Sequence, residues 1–283
     1  MILRKLERQE HNKTRKLWEA IFTEDTPQFL DYYYSVKASE NEIYVIEEDN
    51  KIVSMLHLNP YQMRIGNEVY QTHYIVAVAT DEKYRKRGYM ASLLNHAMQV
   101  MRDRGEPFTF LMPAAEAIYK PFGFEFVYEQ KRGTVSGKVR GGKNLRLVLA
   151  KKEDCKEIAD FANVFLKEYD VVAWRNDSYY ETLLQEQASE NGGILLAKEE
   201  DRIVGVFCFA KAAGEPYMEI REPLFTQKEV LEHAVYLLTG KETEKVFCTG
   251  YGKETKPMIM AKVLLPKFEK DLKQGKVFLN EVV

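Results

Sequence analysis

The stretch Tyr74–Gly123 reads YIVAVATDEKYRKRGYMASLLNHAMQVMRDRGEPFTFLMPAAEAIYKPFG, and its local patterning decides the fold. Tyr74–Thr80 is rich in β-branched residues and stops at the polar cluster opened by Asp81, the pattern of a buried strand. A basic turn with one glycine, Arg85-Lys86-Arg87-Gly88-Tyr89-Met90, leads directly into a helical segment. There Met90, Leu93, Leu94, Ala97, Met98 and Met101 recur at helical spacing and predict one buried face. Gly105 and Pro107 end it, and Arg102 and Arg104 in its last turn suit the negative end of the helix dipole. Phe108–Met112 then reads as a second strand, and Ala114–Phe124 as a short helix closed by Gly123.

A strand that feeds a cationic, glycine-containing turn into a helix N-terminus is suited to holding phosphate. The first N–H groups of a helix lack intrahelical partners, and the dipole adds positive potential where they point. Gly88 lets a bulky anion approach the backbone closely. Taken alone this is a weak signal, because basic turns before helices are common and are usually solvated. The order of the neighbouring elements makes it specific.

Strand, R-x-x-G-x turn, helix, strand, then IYKPFGF (Ile118–Phe124) resembles the GNAT N-acetyltransferases in order and spacing together. Within that family the VAT, RKRG and IYKPFG segments look most like the enhanced-intracellular-survival (Eis-like) branch. The family pattern R/Q-x-x-G-x-G/A is departed from at one place, where Met90 stands at the final small position. The resemblance implies that the backbone of Val78, Ala79 and Thr80 pairs with the pantetheine arm of acetyl-CoA. It implies that Arg85, Lys86, Arg87, Gly88, Tyr89, Met90 and Ala91 hold the diphosphate, mainly through backbone N–H groups. It also implies that Tyr119 is the general acid for the departing CoA sulfur; on sequence alone, a tyrosine before Phe122-Gly123-Phe124 could equally be packing. For the base, Eis-like enzymes place the C-terminal carboxylate near the amine, which is Val283 here. Glu281, His73 or a chain of waters are the alternatives.

Composition excludes several other classes. The 283 residues are 45% hydrophobic and 30% charged, as expected of a folded globular chain with a sizeable core. The 41 basic and 43 acidic residues leave a net charge of −2, which gives no basic footprint for nucleic acid or anionic membrane. The N-terminus has no apolar signal core and no run is long enough to span a bilayer, so a cytoplasmic location is expected. Cys155, Cys208 and Cys248 are odd in number and widely spaced. They suit a reducing compartment and, with five histidines, give no metal-ligand spacing. No metal is expected.

Leu3–Leu6 reads as a first strand, and Glu10–Val36 as helical with a break near Pro27. The run Tyr32-Tyr33-Tyr34 lies in a helical stripe, which favours core and rim over a recognition platform. In the family this helical pair borders the acceptor pocket. Ile43–Glu47 with Ile52–Leu58, and Tyr61–Ile65 with Glu68–Thr72, read as two hairpins. Of the two histidines near these strands, His73 is the better catalytic candidate and His57 the better scaffold residue.

IYVIEEDNKIVS (43–54) can be laid on ILLAKEEDRIVG (194–205) at a constant shift of 151 residues, 194 − 43 and 203 − 52. Leu3-Arg4 and Leu145-Arg146 open a strand in each half, so the chain reads as a duplicated fold. The helix Lys228–Leu238 of the second half has no R-x-x-G turn before it, after a strand read from Tyr217 to Ile220. The expected organisation is a catalytic domain over 1–131, a glycine-containing linker over 132–143, and a degenerate second domain over 144–283. The fold class is therefore α/β (α+β): two tandem GNAT-like acyl-CoA N-acyltransferase folds, each a mixed twisted sheet flanked by helices. Eis-like proteins carry a further sterol-carrier-like domain; the roughly 30 residues after Gly252 are too few for one. The expected activity is acetyl-CoA-dependent N-acetylation of a primary amine, on a small aminoglycoside-like or other amine or on a protein. The competing reading is an acyl-CoA-binding or scaffold protein with little turnover, its duplicated fold serving assembly. Homo-oligomerisation is implied by relatives that assemble.

Overall fold

Two similar series of strands, each antiparallel but for one parallel pair, make up the β-structure of this chain. The computed structural model describes residues 1–139, 145–210, 218–242 and 244–281. In chain order the first elements are β1 (Ile2–Lys5), a 3-10 turn leading into α1 (Arg15–Ile21), and α2 (Pro27–Ser35). Then come β2 (Glu42–Glu48), β3 (Lys51–Ile65), β4 (Glu68–Thr80), α3 (Tyr89–Asp103), β5 (Phe108–Leu111) and α4 (Glu116–Tyr119). After them come β6 (Glu125–Ser136), β7 (Leu145–Leu149), α5 (Cys155–Leu166), β8 (Val171–Ala173) and α6 (Asp177–Ser189). The chain continues through β9 (Gly193–Glu199), β10 (Arg202–Ala210), β11 (Glu219–Phe225), α7 (Lys228–Thr239) and β12 (Lys245–Thr249). It closes with β13 (Glu254–Val263), α8 (Glu269–Gln274) and β14 (Val277–Phe278).

The residues divide into two compact units that are not contiguous in sequence. One comprises Met1–Tyr128, Tyr169–Trp174 and Met258–Val283; the other comprises Glu129–Glu168 and Arg175–Pro257. The first unit has strand order β1-β2-β3-β4-β5-β13, antiparallel except for the β4–β5 pair. Its two faces follow the pleat. Tyr44, Ile46, Leu56, Leu58 and Ile75 meet the helix α3 side chains Leu93, Leu94, Ala97, Met98 and Met101. Ile43, Val45, Met55, Ala77 and Ala79 meet Leu17, Trp18, Phe29, Leu30 and Tyr33 of α1 and α2. Thr26 caps α2 by accepting from the Phe29 N–H at 3.1 Å, and Pro27 fits its first turn.

The second unit has the order β7-β9-β10-β11-β12-β6, again with one parallel pair, β11–β12. The internal repeat is thus structural: β2 and β9 start at 42 and 193, and β3 and β10 at 51 and 202, each 151 apart. Both units have the GNAT-like arrangement of a mixed sheet flanked by helices.

Three expectations need correction. The segment 132–136 is not linker but the end of β6, where Arg132–Ser136 pairs antiparallel with Thr249–Lys245. The rest of the expected linker, apart from 137–139, lies outside the described residues. The two hairpins read between 43 and 72 share one 15-residue strand, β3, despite Pro60. Pro60 falls between Leu58, the last residue paired with β2, and Met63, the first paired with β8, where β3 has a strand on one side only. The strand read from Tyr217 to Ile220 runs on to Phe225 as β11, and Tyr217 lies outside the described residues. Among the described residues, no helix is long and apolar enough to cross a membrane.

Candidate active site

The site begins where two strands part. β4 and β5 pair in parallel at only two positions, His73 with Thr109 and Tyr74 with Phe110. Beyond Tyr74, β4 continues to Thr80 with no strand partner on that side among the described residues. The other side of β4 carries a β-bulge: Met55 pairs with Ala79 and His57 with Val76, so Ala77 and Val78 both oppose Leu56. Ala77 adopts φ +53°, a costly conformation for a residue with a Cβ. Over Val78, Ala79 and Thr80 the backbone of β4 is thus left without a ladder on its β5 side among the described residues.

The turn after β4 is built by local caps. Asp81 accepts from the Lys83 N–H at 3.0 Å, starting a 3-10 turn over Glu82–Tyr84. Lys86 and Gly88 both take positive φ, +63° and +80°, and Gly88 is the N-cap of α3. The first helical bond runs from the Ser92 N–H to the Gly88 carbonyl at 3.0 Å, so the N–H groups of Tyr89, Met90 and Ala91 precede the hydrogen-bonded ladder. A Cβ at Gly88 would meet nothing within 4 Å, so the space over the turn is open to a bulky group.

Arg85 and Arg87 are half exposed. Arg85 lies 3.4 Å from Glu82, and Arg87 lies 3.4 Å from Glu48 and 4.8 Å over the Tyr84 ring. The Tyr89 hydroxyl donates to Glu48. Met90, the departure from the family pattern, is half-buried and packs against the α3 face of the core. These residues fit a diphosphate.

Tyr119 ends α4, which passes into a 3-10 turn over Lys120–Phe122 closed by Gly123 at φ +81°. The ring is buried, 6.0 Å from that of Phe124. It lies in one apolar cluster with Ile75 and Leu111, the first residues past the junction on β4 and β5. Its hydroxyl has no hydrogen-bond partner among the described residues, and burial pushes the phenol up to about 12. The turn and Tyr119 were legible in the sequence, and they lie in one unit with the unladdered stretch of β4.

The base candidates fare differently. Val283 lies outside the described residues. Glu281 is buried just after β14. His73 is buried midway along β4, its Nδ1 2.9 Å from the buried Glu106 carboxylate, which follows the C-terminal end of α3. The 15 residues of α3 separate that end from the phosphate turn by roughly 22 Å. His57 is fully buried under α2, its Nδ1 3.1 Å from the Tyr33 hydroxyl, and burial lowers it to about 3. Sequence reasoning missed the bulge at Ala77 and the partner Glu106; neither has a local signal. Among the described residues, no group of three or more His, Cys, Asp or Glu is placed to hold a metal.

The equivalent place in the second unit is closed. Its bulge opposes Phe207, the repeat of Leu56, and consists of Glu222 (φ +44°) and Pro223. Pro223 stands where Val78 stands and has no N–H to offer. The β11–β12 ladder runs on to Arg221 with Thr249, and a Cβ at Gly250 would lie only 3.1 Å from Glu222 Cα. The Glu222 carboxylate is held 3.1 Å from the buried Arg175 guanidinium. Helix α7 starts after Gln227 with no glycine turn.

Residues 3–127 match a family model described as the acetyltransferase (GNAT) domain. Comparison of the sequence with curated proteins gives no match. Among solved structures, the chain is similar to a probable N-acyltransferase of Enterococcus faecalis, with 17% identity and a TM-score of 0.77 over 95% of this chain and 74% of that one. It is similar to Eis1 of Mycobacterium abscessus, with 10% identity and a TM-score of 0.66 over 93% of this chain and 74% of that one. A tandem GNAT protein from the clavulanic acid biosynthesis pathway matches with 12% identity and a TM-score of 0.58, over 94% of this chain and 99% of that one. At these identities the structural likeness speaks for the fold alone, a GNAT-like fold, and the family match is confined to residues 3–127.

Proposed function

We propose that the protein is an acetyl-CoA-dependent N-acetyltransferase whose first unit acetylates a primary amine, on a small molecule or on a protein. The observation that carries this reading is the convergence of the open β4–β5 cleft, the Gly88 turn and the partnerless Tyr119 hydroxyl in one unit. Acetyl-CoA, when bound, supplies an acetyl group activated as a thioester. The N–H groups of Gly88–Ala91, with Arg85, Lys86 and Arg87, hold the diphosphate at the positive end of α3. Peptide groups of Val78–Thr80, beside the bulge in β4, would orient the pantetheine arm, and an N–H there would stabilise negative charge developing on the thioester oxygen. Tyr119, neutral at physiological pH, gives its proton to the departing sulfur. The amine gives its proton to water or to a group of the C-terminal segment; His73, held by Glu106, is left out of this step.

The test is thermal unfolding with and without acetyl-CoA, on the wild type and on Gly88→Glu. A ligand at about 100 times its dissociation constant adds about 2.7 kcal/mol to the folded state. The wild-type midpoint should rise by several degrees, and the rise should vanish in the variant. No rise in the wild type at millimolar ligand would reduce the likeness to one of fold and favour the scaffold reading.

A further inference from the structure

The cleft depends on where the β4–β5 ladder stops, and four buried side chains surround that stopping point. The Thr109 hydroxyl donates to the His73 carbonyl at 2.8 Å. The Thr72 hydroxyl donates to the Phe108 carbonyl. The His73 Nδ1 reaches both oxygens of Glu106, at 2.9 and 3.0 Å, just before β5 begins. By strand alternation Thr72 works on the α2 face of the sheet, while His73 and Thr109 work on the α3 face. All four residues are buried.

The second unit shows what the same junction does without them. Counting back from the two bulges, Met218 stands in the place of His73, and through the ladder Val246 stands in the place of Thr109. Neither can make these bonds. There the ladder ends two residues nearer the bulge: it joins Glu219, Ile220 and Arg221 to β12, whereas in the first unit the equivalents of Ile220 and Arg221, Ile75 and Val76, are unpaired with β5. A ladder that advanced in this way in the first unit would close the apex beside Tyr119.

We propose that Thr72, His73, Glu106 and Thr109 are positioning residues that clamp β4 to β5 and hold open the apex of the cleft where the thioester must sit. This rests on the acetyltransferase reading above. The clamp acts on the reacting end of the cofactor and leaves the phosphate turn alone, so it governs kcat and not the KM for acetyl-CoA. It also assigns His73 a donor bond, not a proton transfer, and an asparagine amide can supply an N–H at the position of Nδ1.

The experiment compares three variants with the wild type: His73→Met with Thr109→Val together, Thr109→Val alone, and His73→Asn. The double variant installs the residues of the second unit and should lose about 10- to 100-fold in kcat, the scale of a small misplacement of reacting groups. Its KM for acetyl-CoA should stay within about threefold, since the diphosphate contacts are roughly 22 Å away along α3. His73→Asn should keep kcat within about threefold and keep the acidic limb of the pH–rate profile. A double variant as active as the wild type overturns the clamp. An asparagine variant as poor as the double variant, with the acidic limb gone, also overturns it and makes His73 a chemical base. Should the double variant not fold, the nearly isosteric Thr109→Val decides by the same kcat-against-KM split. A wild type without an acetyl-CoA thermal shift fails the acetyltransferase reading, whereas a shift and turnover that no variant alters fail the clamp.

Discussion

At the scale of single residues, burial fixes the protonation of Tyr119 and of His57. Tyr119 has no hydrogen-bond partner among the described residues, so Tyr119→Phe removes a proton donor without orphaning any of their polar groups. The expected result is a fall in kcat of about 100-fold or more, with the acetyl-CoA thermal shift retained. An unchanged kcat would remove Tyr119 from the mechanism. Because its folded value is raised from 10 to about 12, the phenol stays protonated through pH 10. Its contribution to stability is complete below pH 10 and is lost as the pH climbs toward 12. His57 carries the opposite sign. Its folded value of about 3 lies below the ordinary 6.5, because the ring is fully buried and its Nε2 has no partner among the described residues. The unfolded chain therefore takes up a proton that the folded one refuses. The contribution is complete above about pH 6.5 and falls by about 1.4 kcal/mol per unit as pH drops toward 3. His57→Asn should flatten the pH dependence of the unfolding free energy in that window by up to this slope. An identical slope in wild type and variant would show that His57 is not the group titrating. The sequence suggested a scaffold role for His57, from the general scarcity of catalytic histidines. The burial that makes it a neutral scaffold comes from α2 lying over β3, which no local pattern encodes.

At the scale of elements, what separates the two halves is the state of the cleft between their paired parallel strands. The absence of an R-x-x-G turn before α7 was legible in the sequence, because a turn is a local feature. The closure of the cleft was not. It depends on Pro223 falling on a bulge, on Gly250 approaching Glu222, and on ladder length, all of which are set by pairing between distant segments. Three independent deficits, no N–H at Pro223, no open ladder and no glycine cap, predict that the chain binds one acetyl-CoA and not two. Calorimetric titration should give a stoichiometry near one, and Gly88→Glu should abolish the binding heat altogether. A residual heat in that variant would place a second site in the β11–β12 region. The recognised segments in the first half succeed for the same reason that the second half was only partly read. Ala77 at positive φ is invisible in the sequence, but the Gly88 cap, the α3 stripe and the Tyr119 turn each announce themselves within a few residues.

At the scale of the molecule, the chain order and the spatial order of the strands disagree. The strand that follows α4 ends in the second unit, where it pairs with β12. The outer edge of β5 in the first unit is instead covered by β13, with Met260 opposite Leu111 and Val263 opposite Phe108. Met260 and Leu264 from this late segment are buried in the same cluster as Leu93, Met101 and Tyr119. The same unit also takes in β8 and β14, which join the end of β3. Hydrophobic pattern could identify each strand but not its partner, so a contiguous cut near residue 131 was the natural reading and does not match the contacts. Removing residues 258–281 would expose the β5 edge and leave vacancies where Met260 and Leu264 pack; losing two such side chains alone costs about 2–5 kcal/mol each, comparable to the whole stability of a domain. A chain ending at residue 131 is therefore expected to show no cooperative melting transition and no acetyl-CoA shift, although it holds the Gly88 turn, Tyr119 and the whole clamp. If that fragment melted cooperatively and gained midpoint on addition of acetyl-CoA, the late strand would be dispensable to the active unit. If instead only the full chain responds, the cofactor site depends on a strand encoded more than 120 residues after α4, and the two halves are bound to fold as one protein.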